Sequence, residues 1–299
     1  MPLTLIEGQF RIMNAAPDGD SIRFYPNNPN AWRRIGRNVR TNRSGGAQLR
    51  LDGIDALETH YQPQRSHLPQ QHQPLELGRA AAAEILRFLG FNEATRGENE
   101  TVMSAQPTNV PGYILSRLAD AYGRAVSFAF PGSHPARDGA DVHLMTEPPT
   151  DGGARDFALL RDSVNFHLLS AGLVYPTFYS RLYPDVRAEM TRAAGSGRQQ
   201  RLGIWAFDAT TSGFQIASFD DLTERLVILP KLFRRLLDYL ALNDGEISVD
   251  GFRNYVEQRN DRLVILPNGH VTGLDYVINV RGQRVKLTEL PENLVFMEK

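Results

Sequence analysis

The residues Leu49 to Tyr61, LRLDGIDALETHY, constrain this chain more than any other stretch. Leu49, Leu51 and Ile54 mark a strand, whose period of two sends alternate side chains to opposite faces. Arg50, Asp55 and Glu58 bring one guanidinium and two carboxylates into nine residues. Arg50 and Asp55 stand five apart, so they converge only if the backbone bends between them. Gly53 is the residue suited to a bulge or strand end there. Such a set suits a cation and a phosphate. Phosphodiester hydrolysis needs positive charge where negative charge develops on the phosphoryl oxygens, and a group to orient the attacking water. The same residues also read as a strand ending in a charged surface turn.

Two further segments bear on that choice. Phe10 and Ile12, then Ile22 and Phe24, alternate on either side of Pro17-Asp18-Gly19-Asp20. Asp-Gly between alternating runs predicts a hairpin, with Asp20 just past the turn as a further carboxylate. Asp120-Ala121-Tyr122-Gly123-Arg124 predicts a turn feeding a strand over Ala125 to Phe130, with a second arginine at its mouth.

Taken in order, these pieces resemble the staphylococcal-nuclease (thermonuclease) family over about residues 3 to 207. The matching runs are Asp18-Gly19-Asp20, the stretch from Arg50 to Glu58, Gly78-Arg79-Ala80 and the stretch from Asp120 to Arg124. Val164-Asn165 leading to Ala171-Gly172-Leu173, and Leu202-Gly203-Ile204-Trp205, complete them. The resemblance implies a five-stranded barrel of the oligonucleotide-binding (OB) type with helices, and a calcium-dependent endonuclease acting on DNA or RNA. It implies that Asp20, Asp55 and the carbonyl of Ala56 bind the cation and that Glu58 positions or activates the water. Arg50 and Arg124 would contact the scissile phosphate and Tyr122 a neighbouring phosphate or sugar, with Asp120 supporting the site from its edge. The chain departs from the family at Ala56, usually Thr, at Leu57, usually Pro, and at Ala121, often basic. The family's base-stacking tyrosine falls at Phe178 or Tyr179.

The length of 299 residues predicts two domains, a nuclease-like domain over 1–210 and a small α+β domain over 211–299. Ala209 to Gly213 reads as the linker. There is no cysteine, which excludes disulfides and thiolate chemistry. No run reaches transmembrane length and Met1 to Phe10 lacks signal-peptide character, so a cytoplasmic protein with no membrane partner is expected.

A net charge of −1 argues against general avidity for nucleic acid, but the charge is uneven. Between Ser21 and Leu51 there is no acidic residue, while Arg33, Arg34 and Arg37 flank Trp32 in a loop rich in Asn, Pro and Gly. That arm suits backbone tracking and base stacking, or is a solvated loop. Thr59 to Pro74, with His60, His67 and His72, reads as a polar loop, with gating of the site as its functional alternative.

Helices are predicted over Leu77 to Leu89, Arg155 to Ala171 and Asp185 to about Ala194, with Gly195 to Gly197 loosening the end of the last. Thr101 to Gln106 reads as the fourth strand. The hexapeptide RLVILP occurs at Arg225 to Pro230 and again at Arg262 to Pro267, between dissimilar flanks that argue for coincidence. Asn243 to Ile247 resembles the middle of a calcium loop, but with Gly245 at the sixth position the first, third and twelfth positions are Leu240, Leu242 and Gly251, which supply no carboxylate. Residues 211–299 carry 13 acidic and 11 basic residues, so a protein partner or self-association suits them better than nucleic acid. A non-catalytic binding module is the competing function. It has no need for two carboxylates facing a phosphate, so Asp20, Arg50, Asp55, Glu58 and Arg124 together favour the nuclease.

Overall fold

The computed structural model describes residues 2–35, 38–63, 68–97, 100–147, 155–243 and 246–298. Arg37, His67 and Asp244-Gly245 lie outside them.

Five strands carry the first part of the chain: β1 (Leu3–Arg11), β2 (Arg23–Pro26), β3 (Ala47–Leu51), β4 (Asn109–Ala119) and β5 (Ala125–Pro131). β1 pairs with both β2 and β4, β3 with β2 and β5, and β4 with β5, so the sheet closes into a mixed barrel. All pairs are antiparallel except β3 with β5. Closure demands strong coiling of β1, and glycine supplies it where Gly8 stands opposite Gly112. A Cβ on Gly8 would lie 2.2 Å from the Tyr25 carbonyl oxygen, and one on Gly112 would lie 2.4 Å from the Phe10 ring. Ile6, Phe10, Phe24, Leu49, Leu51 and Ile114 fill the interior, with Phe10 and Phe24 edge to face at 5.1 Å, while Leu5, Leu115 and Phe128 are buried on the outer face of the same sheet.

The fourth barrel strand is thus Asn109–Ala119 and not Thr101 to Gln106. Val102–Gln106 pairs instead with Glu93–Arg96 as a separate ribbon, because it offers the core only Val102 and Ala105. β4 presents a buried run from Gly112 to Ser116, which Pro107 and Pro111 disguise in the sequence.

α1 (Leu75–Leu89) lies between β3 and β4 and ends at Gly90, whose φ of 103° lets its N–H cap the last turn. The helix expected over 155–171 is two pieces, Ala158–Arg161 and α2 (Val164–Ser170), because the Ser163 hydroxyl caps the second by accepting from Phe166 N. α3 (Pro184–Gln199) runs on through the glycines expected to loosen it. Gly197 is needed inside the helix, since a Cβ there would press on the Trp205 ring at 3.3 Å.

Beyond the barrel come α4 (Pro230–Leu240), α5 (Phe252–Gln258), β6 (Arg262–Ile265), β7 (His270–Gly273), β8 (Ile278–Arg281), β9 (Arg284–Leu287) and β10 (Leu294–Phe296). β6 pairs with β7 and β10, while β8 and β9 form a hairpin turned at Gly282. The short strand Phe178–Tyr179 joins β10 in parallel, tying the barrel side to the C-terminal sheet. Thr210, within the expected linker, is buried. Its hydroxyl accepts from Leu229 N at 2.9 Å and its carbonyl from Leu287 N at 2.8 Å. Buried apolar residues from both parts of the chain form one continuous cluster. The two RLVILP copies differ as their flanks predict: the proline of the first opens α4, whereas the second begins as β6. Among the described residues no helix is long and apolar enough to cross a membrane.

Candidate functional site

Strand pairing brings the two predicted arginines to one face. Arg50 on β3 stands opposite Val126 on β5, two residues beyond Arg124, so all three side chains point the same way. The intervening Leu49, Leu51, Ala125 and Ser127 point into the barrel and are buried. The Asp18 to Ser21 turn lies along β3, with Leu51 N donating to Asp20 O at 2.8 Å and Leu49 N to Ile22 O at 2.8 Å.

Gly19 keeps that turn flush against the rest of the site. A Cβ there would meet the Cβ atoms of Ala56 at 2.5 Å and Ala81 on α1 at 2.7 Å. Gly53, at a φ of 80°, provides the predicted bend between Arg50 and Asp55. Fully buried Asn165 fastens the bend to β5, its Nδ2 donating to the carbonyls of Asp52 and Ser127 at 2.9 and 3.0 Å and its Oδ1 accepting from Ala129 N at 3.1 Å.

The arginine side is held but unspent. Arg124 Nε donates to Asp120 Oδ2 at 2.7 Å, and Asp120 Oδ1 accepts from the backbone N of Tyr122 at 2.9 Å and of Arg124 at 3.0 Å. Asp120 therefore fixes both the turn and the arginine, and among the described residues nothing engages the Arg124 Nη groups. Half-buried Arg50 lies over the Tyr179 ring with its Cζ 4.3 Å from the centroid. Among the described residues no side chain or carbonyl accepts from its guanidinium. Tyr122 is 73% exposed beside Arg124.

The acid side is crowded with negative charge. Burial, then the charges of Asp55 and Glu58, push the Asp20 carboxyl up to about 7 against the pull of Arg124 and Arg50. Burial followed by Asp20 and Glu58 raises Asp18 as well. The Asp20 carboxylate accepts no hydrogen bond from any described residue. Asp55 and Glu58, by contrast, are both held by Arg234 of α4. Its Nη2 and Nη1 bond the two Asp55 oxygens at 2.8 and 3.2 Å, and Nη1 also donates to Glu58 Oε1. Burial alone would lower the Arg234 pKa, but Asp55 and Glu58 hold it well above its ordinary value. Burial raises Glu58, and Arg234 opposes the rise.

α4 is anchored where it meets the site. Leu232, Phe233, Leu236, Leu237 and Leu240 are fully buried. The Tyr61 hydroxyl hydrogen-bonds the Asp238 carboxylate, with its oxygens at 3.0 and 3.1 Å. Gln73 links the Glu58 turn to the segment before α4: its Oε1 accepts from Glu58 N at 3.2 Å, its N donates to Glu58 O at 2.8 Å and its Nε2 to Ile228 O at 2.9 Å. Lys231 stands 4.4 Å over the Phe296 ring and 5.8 Å over Tyr179.

The chemistry of the donors fits a hard cation. Asp20, Asp55, Glu58 and the Ala56 carbonyl offer only oxygen ligands, and Asp20 lacks a donor of its own. As they stand, no group of three His, Asp or Glu side chains among the described residues is drawn together tightly enough to hold a metal ion. Arg234 holds two of the carboxylates.

The basic arm departs from the expected base-stacking surface. Trp32 is only 6% exposed, donates from Nε1 to Gly45 O at 2.9 Å and packs edge-on to Phe24 at 6.2 Å. The 3-10 turn Pro29–Arg34 folds Ala31 and Trp32 inward, so the indole is core and not a platform for bases. Arg33 is exposed, while Arg34 is paired with Asp138 at 3.1 Å.

Of the tyrosine candidates, Phe178 is fully buried and Tyr179 faces the site. Arg234, Gln73 and Lys231 escape sequence reasoning. The available signal was the run Lys231, Arg234, Arg235, Asp238, charges at helical spacing within an otherwise apolar helix, two of which (Lys231 and Asp238) are buried. Against known proteins, no family model and no curated protein matches the chain.

Proposed function

We propose that the chain is a phosphodiester hydrolase, an endonuclease of staphylococcal-nuclease type that cleaves DNA or RNA with calcium as its cofactor. The observation that carries this reading is the pair of half-buried arginines, Arg50 and Arg124, on one strand face beside Asp20, Asp55 and Glu58. A guanidinium taken partly out of water with its Nη donors unspent suits an incoming anion, and a phosphodiester supplies one. The barrel order β1-β2-β3-β5-β4-β1, with β3 parallel to β5 and α1 between β3 and β4, supports the OB-type reading.

In this account Arg124, held at Nε by Asp120, presents its Nη groups to a phosphoryl oxygen, and Arg50, seated on Tyr179, presents a second set of donors. Both act where negative charge grows in the transition state. Glu58 orients the attacking water and accepts its proton. Asp20, Asp55 and the Ala56 carbonyl would hold calcium, which when bound neutralises charge on the phosphate. Tyr122 and exposed Arg33 contact the flanking backbone. A non-catalytic binding module is the second reading, favoured by the hold of Arg234 on the acid pair.

Incubation of the full chain with labelled single- and double-stranded DNA and RNA, with calcium or with chelator, tests the proposal. Calcium-dependent shortening of at least one substrate is expected. Binding without cleavage of any of them under calcium would leave the module.

A further inference from the structure

Arg234 takes no part in the hydrolysis set out above, yet its guanidinium holds both Asp55 oxygens and one oxygen of Glu58. We infer that Arg234 is an internal competitor for the cation: in the resting chain its guanidinium satisfies the carboxylates that calcium needs, and calcium binds only by displacing it. The inference rests on the cation-dependent reading of the site.

Two observations support competition. The first is stoichiometric. Calcium sits at about 2.3–2.6 Å from its oxygens, and a bidentate guanidinium uses the same lone pairs of Asp55, so the two cannot be bound together in this geometry. The second is burial. The Asp55 side chain is only 4% exposed and lies at 2.8 Å from Arg234, so an enclosed carboxylate is stabilised by one cation at contact distance, and a guanidinium and a calcium ion compete for that one place.

The exchange belongs to the Arg234 side chain and not to α4 as a whole. The apolar face of the helix is fully buried, and the Tyr61–Asp238 hydrogen bond, with Gln73–Ile228 just before the helix, ties it to the segment between β3 and α1. The Arg234 and Glu58 side chains are 24% and 15% exposed, so that edge of the pair faces water and is where a cation enters. A chain whose binding-competent form is a minority has its apparent affinity reduced by that fraction. Calcium binding should therefore be weaker than the oxygen donors alone would give.

The test is isothermal titration of calcium into the full chain, into Arg234→Gln, which keeps a stem but cannot hold two carboxylates, and into Arg234→Lys. Arg234→Gln should bind calcium at least tenfold more tightly than the natural chain. Arg234→Lys should fall between them, because a point charge does not reproduce the bidentate fork, and it carries the comparison if Arg234→Gln does not fold. Calcium should also raise the melting temperature of the variants more than that of the natural chain. Equal or weaker affinity in the variants, or no calcium binding by any chain, overturns the inference. Tighter binding without cleavage of DNA or RNA upholds the competitor and removes the nuclease. Unchanged affinity in an active nuclease does the reverse.

Discussion

The two sides of the site are finished differently. On the arginine side, Asp120 and Tyr179 hold Arg124 and Arg50 in place while leaving donors for an anion. On the acid side, Asp55 and Glu58 are already satisfied by Arg234, and only Asp20 stands without a donor. The contrast follows from how the two charges tolerate burial. A planar guanidinium can be supported by an aromatic face and partial exposure, whereas a carboxylate as enclosed as Asp55 needs a cation at contact distance. The phosphate half can therefore wait for its ligand, and the acid half cannot.

The largest effect expected from this difference is on turnover. Arg50→Ala or Arg124→Ala should slow cleavage by roughly 10²- to 10³-fold, the usual loss on removing one preorganised donor, with little change in urea stability for Arg50→Ala and a loss of about 1 kcal/mol for Arg124→Ala, which breaks the bond to Asp120. Full rate in Arg124→Lys would break the contrast, because it would mean that charge suffices where the account requires a fork. Next in size is stability on the acid side. Asp55→Ala should cost about 3 kcal/mol, because it leaves the Arg234 charge enclosed without its bidentate partner. Asp20→Ala should cost less than about 1 kcal/mol, since no hydrogen bond is lost. Equal losses in urea denaturation would show that Arg234 does not distinguish the two carboxylates.

How much of this the sequence shows depends on whether the signal is local. The Asp-Gly-Asp turn, the bend at Gly53 and the Asp120 to Arg124 turn are set by glycine conformations and short-range hydrogen bonds, and all are readable from residues a few positions apart. β4 is not, because its prolines mask a strand whose burial comes from pairing with β1 and β5. Trp32 resembles a stacking residue in a basic loop until the 3-10 turn carries it into the core. Arg234 lies 176 residues from Glu58, and no periodicity in KLFRRLLDYL indicates that one of its arginines meets a carboxylate of the barrel. The two RLVILP copies make the same point: identical apolar hexapeptides open a helix or form a strand according to what flanks and packs on them.

Smaller effects sharpen the comparison from outside the site. Arg33→Ser should weaken nucleic-acid binding and lower the slope of log affinity against log salt by about one, with single-turnover rate at saturation unchanged. Arg34→Ser should do less, because Asp138 already offsets its charge. The smallest effect is at Glu84, whose carboxyl is lowered to about 2 by the Arg87 hydrogen bond and then by His167, against a burial penalty. A folded pKa below the unfolded value gives stability that is present above the unfolded pKa, about 4.5, and fades as pH falls towards 2. Glu84→Gln should therefore lose less than about 1 kcal/mol near pH 7, with the difference narrowing below pH 4.5 in thermal melts.

The most direct measurement is single-turnover cleavage of a labelled oligonucleotide at saturating calcium and saturating enzyme, for the natural chain, Arg50→Ala and Arg234→Gln. The rate of the natural chain should fall by at least 10² in Arg50→Ala and be maintained in Arg234→Gln, since the first removes a donor to the transition state and the second only a rival for the cation. A rate that survives in Arg50→Ala and collapses in Arg234→Gln would contradict this expectation, placing the working guanidinium on α4 and leaving the strand face without a role in cleavage.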